Sequence, residues 1–147
     1  MVGKSINIVG INAAGIASKI YSFDQLLFDR KPSVWMMQET KQKQTAPRLK
    51  CNNLINYQVF EMRREMTTDE GGKGLHGGGL AVGALLDLQP LLIKRGDDDV
   101  ECLTIQISVG FLNVHCVVGY GPQLNDNSDR KRKFWDYLEQ AVESAKV

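Results

Sequence analysis

Hydrophobic and polar positions alternate near the start of the chain. Between Ser5 and Ile11, Ile6 and Ile8 alternate with Asn7 and Val9, and turn-prone residues bound the run, which predicts a strand. Ile16, Ile20, Phe23 and Leu27 then recur at helical spacing between Gly15 and Pro32, and a proline two residues past Arg30 is a usual place for a helix to have ended. Residues 33–38, SVWMMQ, are apolar without alternation, the pattern of a strand buried on both faces. Strand, helix and strand in about 35 residues make a βαβ unit, whose crossover sets the two strands parallel and nearly always right-handed. Both strands then end at one sheet edge, where ligands of open α/β sheets gather. Asn12 follows the first of these strands and Glu39 the second.

The middle of the chain is less regular. Residues 41–53 are polar and basic, and 56–65 (NYQVFEMRRE) read as a strand with its charges on one face. A glycine-rich loop over 69–79 leads into LAVGALL (80–86), and LLIKRG (91–96) and DVECLTIQI (99–107) predict further strands. Leu103, Ile105 and Ile107 alternate with polar neighbours, as do Leu112, Val114, Cys116 and Val118 beyond a turn at Gly110, so this pair predicts an antiparallel hairpin. Phe134, Leu138, Ala141 and Ala145 mark one face of a helix over 128–146, capped by Ser128 or Asp129.

Length and composition narrow the function. The chain has 147 residues, 43% of them hydrophobic, enough for one domain or most of one. Its net charge is +1, from 18 Lys and Arg against 17 Asp and Glu, so it lacks the field that holds nucleic acid by charge alone. A DNA role must therefore rest on a site. Cys51, Cys102 and Cys116 are odd in number and widely spaced, against both a disulfide framework and a zinc cluster, and read as reduced thiols of an intracellular protein, nuclear or cytoplasmic. Lys4, Asn7, Asn12 and Lys19 interrupt the first 20 residues, a poor signal-peptide core, and no stretch approaches the roughly 20 apolar residues of a membrane span, so no membrane partner is expected.

A carboxylate at one strand's end beside an asparagine on the next strand is a corner suited to Mg²⁺, because hard cations take oxygen ligands and strands lie about 4.8 Å apart. Glu39 would bind the ion and Asn12 support it. The competing reading is that Glu39 caps a turn and Asn12 bonds its own loop.

Three motifs decide between these readings. GINAAGI (10–16), PSVWMMQETK (32–41) and VVGYGPQ (117–123) occur in the order and spacing found in the endonuclease/exonuclease/phosphatase superfamily, with Asn-x-x-Gly after the first strand, a strand ending Gln-Glu-Thr, and a strand ending Tyr-x-Pro. The chain most closely resembles the endonuclease domain of LINE-type non-LTR retrotransposons, the YGPQ, the polar loop and KFWDYL (133–138) being particularly similar, and the resemblance covers essentially its whole length. The resemblance implies an α+β fold with an α/β-like start, a mixed sheet flanked by helices, about half of a four-layered α/β/β/α DNase I-like domain. It implies phosphodiester hydrolysis of DNA with Mg²⁺, or Mn²⁺ as the alternative, in which Glu39 is a metal ligand, Asn12 an active-site residue near that metal and Tyr120 the tyrosine facing the scissile phosphate. When bound, the ion would stabilise charge on the phosphate and help orient water for in-line attack.

Two departures qualify that expectation. The family often carries Asp or Asn two residues after its first asparagine, where this chain has Ala14. It also continues, after a helix matching 128–146, into a strand bearing Gly-Asp-x-Asn and later Ser-Asp-His, and neither motif occurs here. Residues 1–147 are accordingly read as the amino-terminal part of such a domain, with its carboxy-terminal part missing and efficient cleavage not expected from this chain. If the chain supplies roughly one of the fold's two sheets, that sheet's inner face would be bare, and self-association or binding of the missing part is expected. Within the superfamily the alternatives are an abasic-site nuclease or a phosphoesterase acting on lipid or inositol phosphates. Outside it, the alternative is a non-catalytic retroelement relic or partner-binding fragment.

Other features carry less. The glycine loop lacks GxxxxGK[ST], so Lys73 is no phosphate-loop lysine. His76 and His115 have no second histidine at ligand spacing, and Asp97, Asp98 and Asp99 lack the alternation of a calcium loop. The run Arg130 to Lys133 reads as the exposed start of a helix, with contact to a phosphate backbone as the minor alternative.

Overall fold

Parallel pairing of the first two strands follows from the helix between them. In the computed structural model, which describes residues 5–63, 78–97, 100–122 and 127–145, β1 (Ile8–Asn12) and β2 (Val34–Gln38) pair in parallel from Ile8 opposite Val34 to Asn12 opposite Gln38. A 3-10 turn at Ala17–Lys19 leads into α1 (Ile20–Arg30), which buries Phe23 and Leu27. The helix stops where Lys31 turns left-handed at φ 43° and its N–H caps Leu27 O at 3.0 Å, with Pro32 next.

A glycine-initiated strand completes the first sheet. β4 (Leu80–Leu85) lies antiparallel between β2 and β3 (Tyr57–Met62), giving the order β1-β2-β4-β3. Flanked by strands on both sides and covered on both faces, β4 is almost wholly buried, which accounts for its run of small and aliphatic residues. The second sheet has the order β5-β6-β7, with β5 (Leu91–Arg95), β6 (Cys102–Val109) and β7 (Leu112–Gly119) antiparallel. The expected hairpin is β6–β7, turning at Gly110 with φ 61°. α2 (Ser128–Ser144) is capped not by Ser128 or Asp129 but by Asn127, whose Oδ1 accepts the Arg130 N–H at 2.8 Å.

Three apolar seams hold four layers together. Between α1 and the first sheet lie Phe23, Leu27, Trp35, Met37, Tyr57 and Ala81. Val34, Leu80 and Val82 meet Leu103, Ile105 and Ile107 between the sheets, each such side chain contributing about 1.5–3 kcal/mol. On the far side Phe134 of α2 covers Val100 and Cys102. The fold is therefore a mixed α+β arrangement of two sheets flanked by helices. The expectation of a single sheet with a bare inner face is corrected: strands of both sheets are present and their inner faces cover each other, because β6 and β7 supply the opposing layer. Both sheets are still open at their edges. β1 and β7 are edge strands among the described residues, and Ile8, Leu112 and Trp135 nearby are 47%, 68% and 60% exposed.

One further expectation needs adjusting. The first strand begins at Ile8, so Asn12 is its last residue rather than the one after it. The polar stretch after residue 40 forms no strand but is fixed by Arg63, whose guanidinium donates to the carbonyls of Lys43 (2.9 Å), Pro47 (2.9 Å) and Ala46 while pairing with Glu61 at 3.3 Å. Most of the glycine-rich loop, with Lys73 and His76, and also Asp98 and Asp99, lie outside the described residues.

The cysteines behave as core residues. Burial pushes the Cys102 thiol up to about 11, and burial, aided by the hydrogen bond and charge of Asp24, pushes Cys51 up to about 12. The folded chain at about pH 8 should therefore react with iodoacetamide about 10²-fold more slowly at Cys102 than the urea-unfolded chain does. Equal rates would show that this thiol is not shielded. A raised thiol pKa is a stability contribution present below the unfolded value of about 8.5, so stability should fall as pH rises from there toward 11.

Candidate active site

The loops after β1 and β2 are built as a ladder of backbone hydrogen bonds. Ala13 N–H donates to Gln38 O at 2.9 Å, Gly15 N–H to Glu39 O at 2.8 Å and Ile16 N–H to Thr40 O at 3.0 Å. The second loop is tied in turn to the start of β4, through Thr40 N–H to Gly79 O at 3.2 Å and Lys41 N–H to Gly78 O at 3.0 Å. Gly79 N–H donates to the buried Glu101 carboxylate at 3.3 Å, and Glu101 O accepts the Tyr120 N–H at 3.0 Å. Five segments distant in sequence are thus tied together by hydrogen bonds at the carboxyl ends of β1 and β2.

That ladder holds residues in uncommon backbone conformations. Glu39 has φ 55°, Lys41 φ 52° and Ala14 φ 45°, all in the left-handed region that non-glycine residues seldom enter. Such strain persists only where surrounding contacts over-determine it, and it concentrates at functional sites. Ala14 stands where the resembled family often has Asp or Asn, residue types that tolerate this region better. Ala14→Gly should raise stability by about 0.5–1 kcal/mol, seen as a higher urea midpoint at unchanged m-value. An unchanged midpoint would mean that Ala14 is not strained.

The three residues singled out from the sequence fall at this edge, but not in one contact. Glu39 and Tyr120 meet: the Tyr120 hydroxyl donates to Glu39 Oε1 at 2.7 Å, both side chains being half-buried. Asn12 is one strand over, exposed, and its Oδ1 accepts the Ala14 N–H of its own loop at 3.2 Å. The turn-bonding alternative therefore describes Asn12 as it stands. Gln38 points into the space between the sheets, where its Nε2 donates to Gly119 O. A groove of about 610 Å³ runs from Asn12 and Gln38 past Gly119 to Phe134, Trp135 and Leu138, along the free side of β1 and β7.

The donor set suits a lightly held hard cation. Among the described residues no three His, Cys, Asp or Glu side chains cluster as a metal cage. Mg²⁺ does not require one, since it keeps several waters and is commonly held by one or two carboxylates together with phosphate oxygens. Glu39 offers a carboxylate with one oxygen fixed by Tyr120 and with Oε2 making no hydrogen bond among the described residues. Asn12 Oδ1 offers a second hard oxygen, at the cost of its bond to Ala14.

Sequence reading missed Gln38, Glu101 and the pair Gly78–Gly79. Both glycines have positive φ, and a Cβ on Gly79 would sit 2.3 Å from Thr40 Oγ1. A double glycine ahead of a buried strand was the available signal for a close backbone approach. Nothing in the sequence marked Glu101, which stands just before β6 between Val100 and Cys102.

No protein-family model matches the chain, and no curated protein matches it. Solved structures do. A 3' phosphatase, NExo, from Neisseria, bound to a product DNA hairpin, superposes with a TM-score of 0.65 at 16% identity, covering 95% of this chain and 52% of its own. The AP endonuclease LMAP from Leishmania major gives a TM-score of 0.66 at 12% identity over 99% of this chain and 52% of its own, and D. rerio TDP2 complexed with a single-strand DNA product gives 0.60 at 13% over 95% and 55%. The chain thus spans about half the length of these neighbours. Its fold is the DNase I-like fold that these exonuclease, AP endonuclease and TDP2 structures share.

Proposed function

We propose that this chain is the amino-terminal portion of a Mg²⁺-dependent DNA endonuclease domain of the retrotransposon type. The observation that supports this most is the Glu39–Tyr120 hydrogen bond at the carboxyl ends of β1 and β2, with Glu39 held at φ 55°. Two fold neighbours are described in complex with product DNA, which favours DNA as the substrate class. The QETK and YGPQ motifs favour the retroelement reading over an abasic-site nuclease or a lipid phosphoesterase.

In this reading the Tyr120 hydroxyl fixes Glu39 Oε1, and Glu39 would hold the ion through its carboxylate with little reorganisation. Asn12 Oδ1 would be a second oxygen able to hold the ion, at the cost of its bond to the Ala14 N–H. When bound, Mg²⁺ supplies charge stabilisation at the phosphate and lowers the cost of activating water. The Asp-x-Asn and Ser-Asp-His motifs that complete the resembled family's site belong to the half of the domain that this chain does not span, and the groove beside β1 and β7 is where that half would pack. A polypeptide bearing those motifs, mixed with this chain, should produce DNA nicking that requires Mg²⁺, stops with chelator and is abolished by Glu39→Ala. Confirmed association without nicking would instead favour a relic or binding role.

A further inference from the structure

The site is formed by two sheets that meet across an apolar seam, and apolar packing alone does not fix the sliding of one sheet over another. A polar tie across that seam does. Gln38 is the last residue of β2 in the first sheet, and its carboxamide reaches the main-chain carbonyl of Gly119, the last residue of β7 in the second. The next residue on each side is the site pair: Glu39 accepts from Tyr120 at 2.7 Å. Two consecutive residues at the end of β2 therefore clasp two consecutive residues at the end of β7. One contact is side chain to backbone, and the other is side chain to side chain.

We propose that Gln38 is a positioning residue, whose hydrogen bond to Gly119 sets the separation at which the Tyr120 hydroxyl reaches Glu39. The side-chain type fits the task. Gln38 needs an N–H to meet a carbonyl, and enough length to cross from β2 to β7, which glutamine supplies. A glutamate there would set a carboxylate against the Gly119 carbonyl, and an apolar residue would leave that half-buried carbonyl unbonded by it. Gly119 contributes by its lack of a side chain, since a Cβ would lie 3.2 Å from Phe134 Cζ and require that ring to give way. The role of this geometry in catalysis rests on the function proposed above; the positioning itself does not.

The test uses the full chain labelled with 3-fluorotyrosine, its Tyr120 fluorine resonance assigned with Tyr120→Phe. Gln38→Met, nearly isosteric and without an N–H, should move the Tyr120 resonance to the position it takes in Glu39→Ala, while circular dichroism stays unchanged. Mn²⁺ affinity should weaken about 10-fold to 100-fold in the same variant, and Gln38→Asn, polar but too short, should behave alike. A folded Gln38→Met whose Tyr120 resonance stays at the wild-type position overturns the proposal. Should neither variant fold, the Gln38 carboxamide protons of the wild-type chain decide: slow exchange with solvent supports the tie and fast exchange overturns it. If Glu39→Ala leaves Mn²⁺ affinity unchanged, the metal reading fails, and the fluorine resonance still decides the role of Gln38.

Discussion

Glu39→Gln should lower Mg²⁺-dependent nicking by the reconstituted domain about 10³-fold, corresponding to about 4 kcal/mol of transition-state stabilisation. The substitution keeps the side chain's length and its ability to accept from Tyr120, so folding should be undisturbed and the loss confined to turnover. Tyr120→Phe removes the hydroxyl that fixes Oε1 at 2.7 Å and should cost about 10²-fold. Because Tyr120 acts through the same carboxylate, the double variant should be about as slow as Glu39→Gln alone, the non-additivity of residues working as a unit. Multiplication of the two losses would mean that Tyr120 acts on the phosphate independently of Glu39. A Glu39→Gln domain that nicks at the wild-type rate would remove the site altogether.

The second large effect is on stability and lies one layer deeper. Gly83 pairs with Trp35 across β4 and β2, and a Cβ on Gly83 would sit 2.3 Å from Trp35 Cε2 and 2.4 Å from its Nε1. The indole has nowhere to go: it is fully buried, with Phe23 edge-on at 4.9 Å and Tyr57 at 6.4 Å. Gly83→Ala should therefore destabilise the chain by about 3 kcal/mol, at the upper end for overpacking by one carbon. For a chain of this length that is a fall in Tm of roughly 6–12 °C. Trp35→Phe in the same chain should recover part of the loss, since the smaller ring frees space. It also gives up no hydrogen bond, because Trp35 Nε1 has no acceptor among the described residues. A Gly83→Ala chain within about 0.5 kcal/mol of wild type would mean that the sheet yields at this point.

Local periodicity made the elements legible but not their partners. The βαβ start, the β6–β7 hairpin and α2 could be read because each is defined by neighbours within the chain and by one apolar stripe. The position of Glu39 was legible for the same reason, since a parallel crossover fixes which end of β2 meets the end of β1. The division into two sheets was not legible. An apolar run such as LAVGALL states that a strand is covered on both faces, and not that it inserts antiparallel between β2 and β3. Gln38 was passed over because alternation assigns its side chain to a face, while its role depends on a carbonyl in the other sheet. Asn12 shows the converse limit: its place at the end of β1 was readable, but the bond to Ala14 that occupies it depends on a left-handed turn that no apolar pattern encodes.

Both contacts that join the sheets at the site, Gln38 to Gly119 and Glu39 to Tyr120, link positions 81 apart in sequence. Closing loops of that length is slow and entropically costly, so these bonds form after β1, α1 and β2 have assembled and after the β6–β7 hairpin has closed on itself. During refolding, helical and strand signals should recover in an early phase, and the fluorine signal of Tyr120 only in the last. Unfolding should reverse the order, the clasp opening at denaturant concentrations where each sheet is still intact. The chemistry of this fold would then serve as its own sensor of assembly, present only while the two sheets are docked.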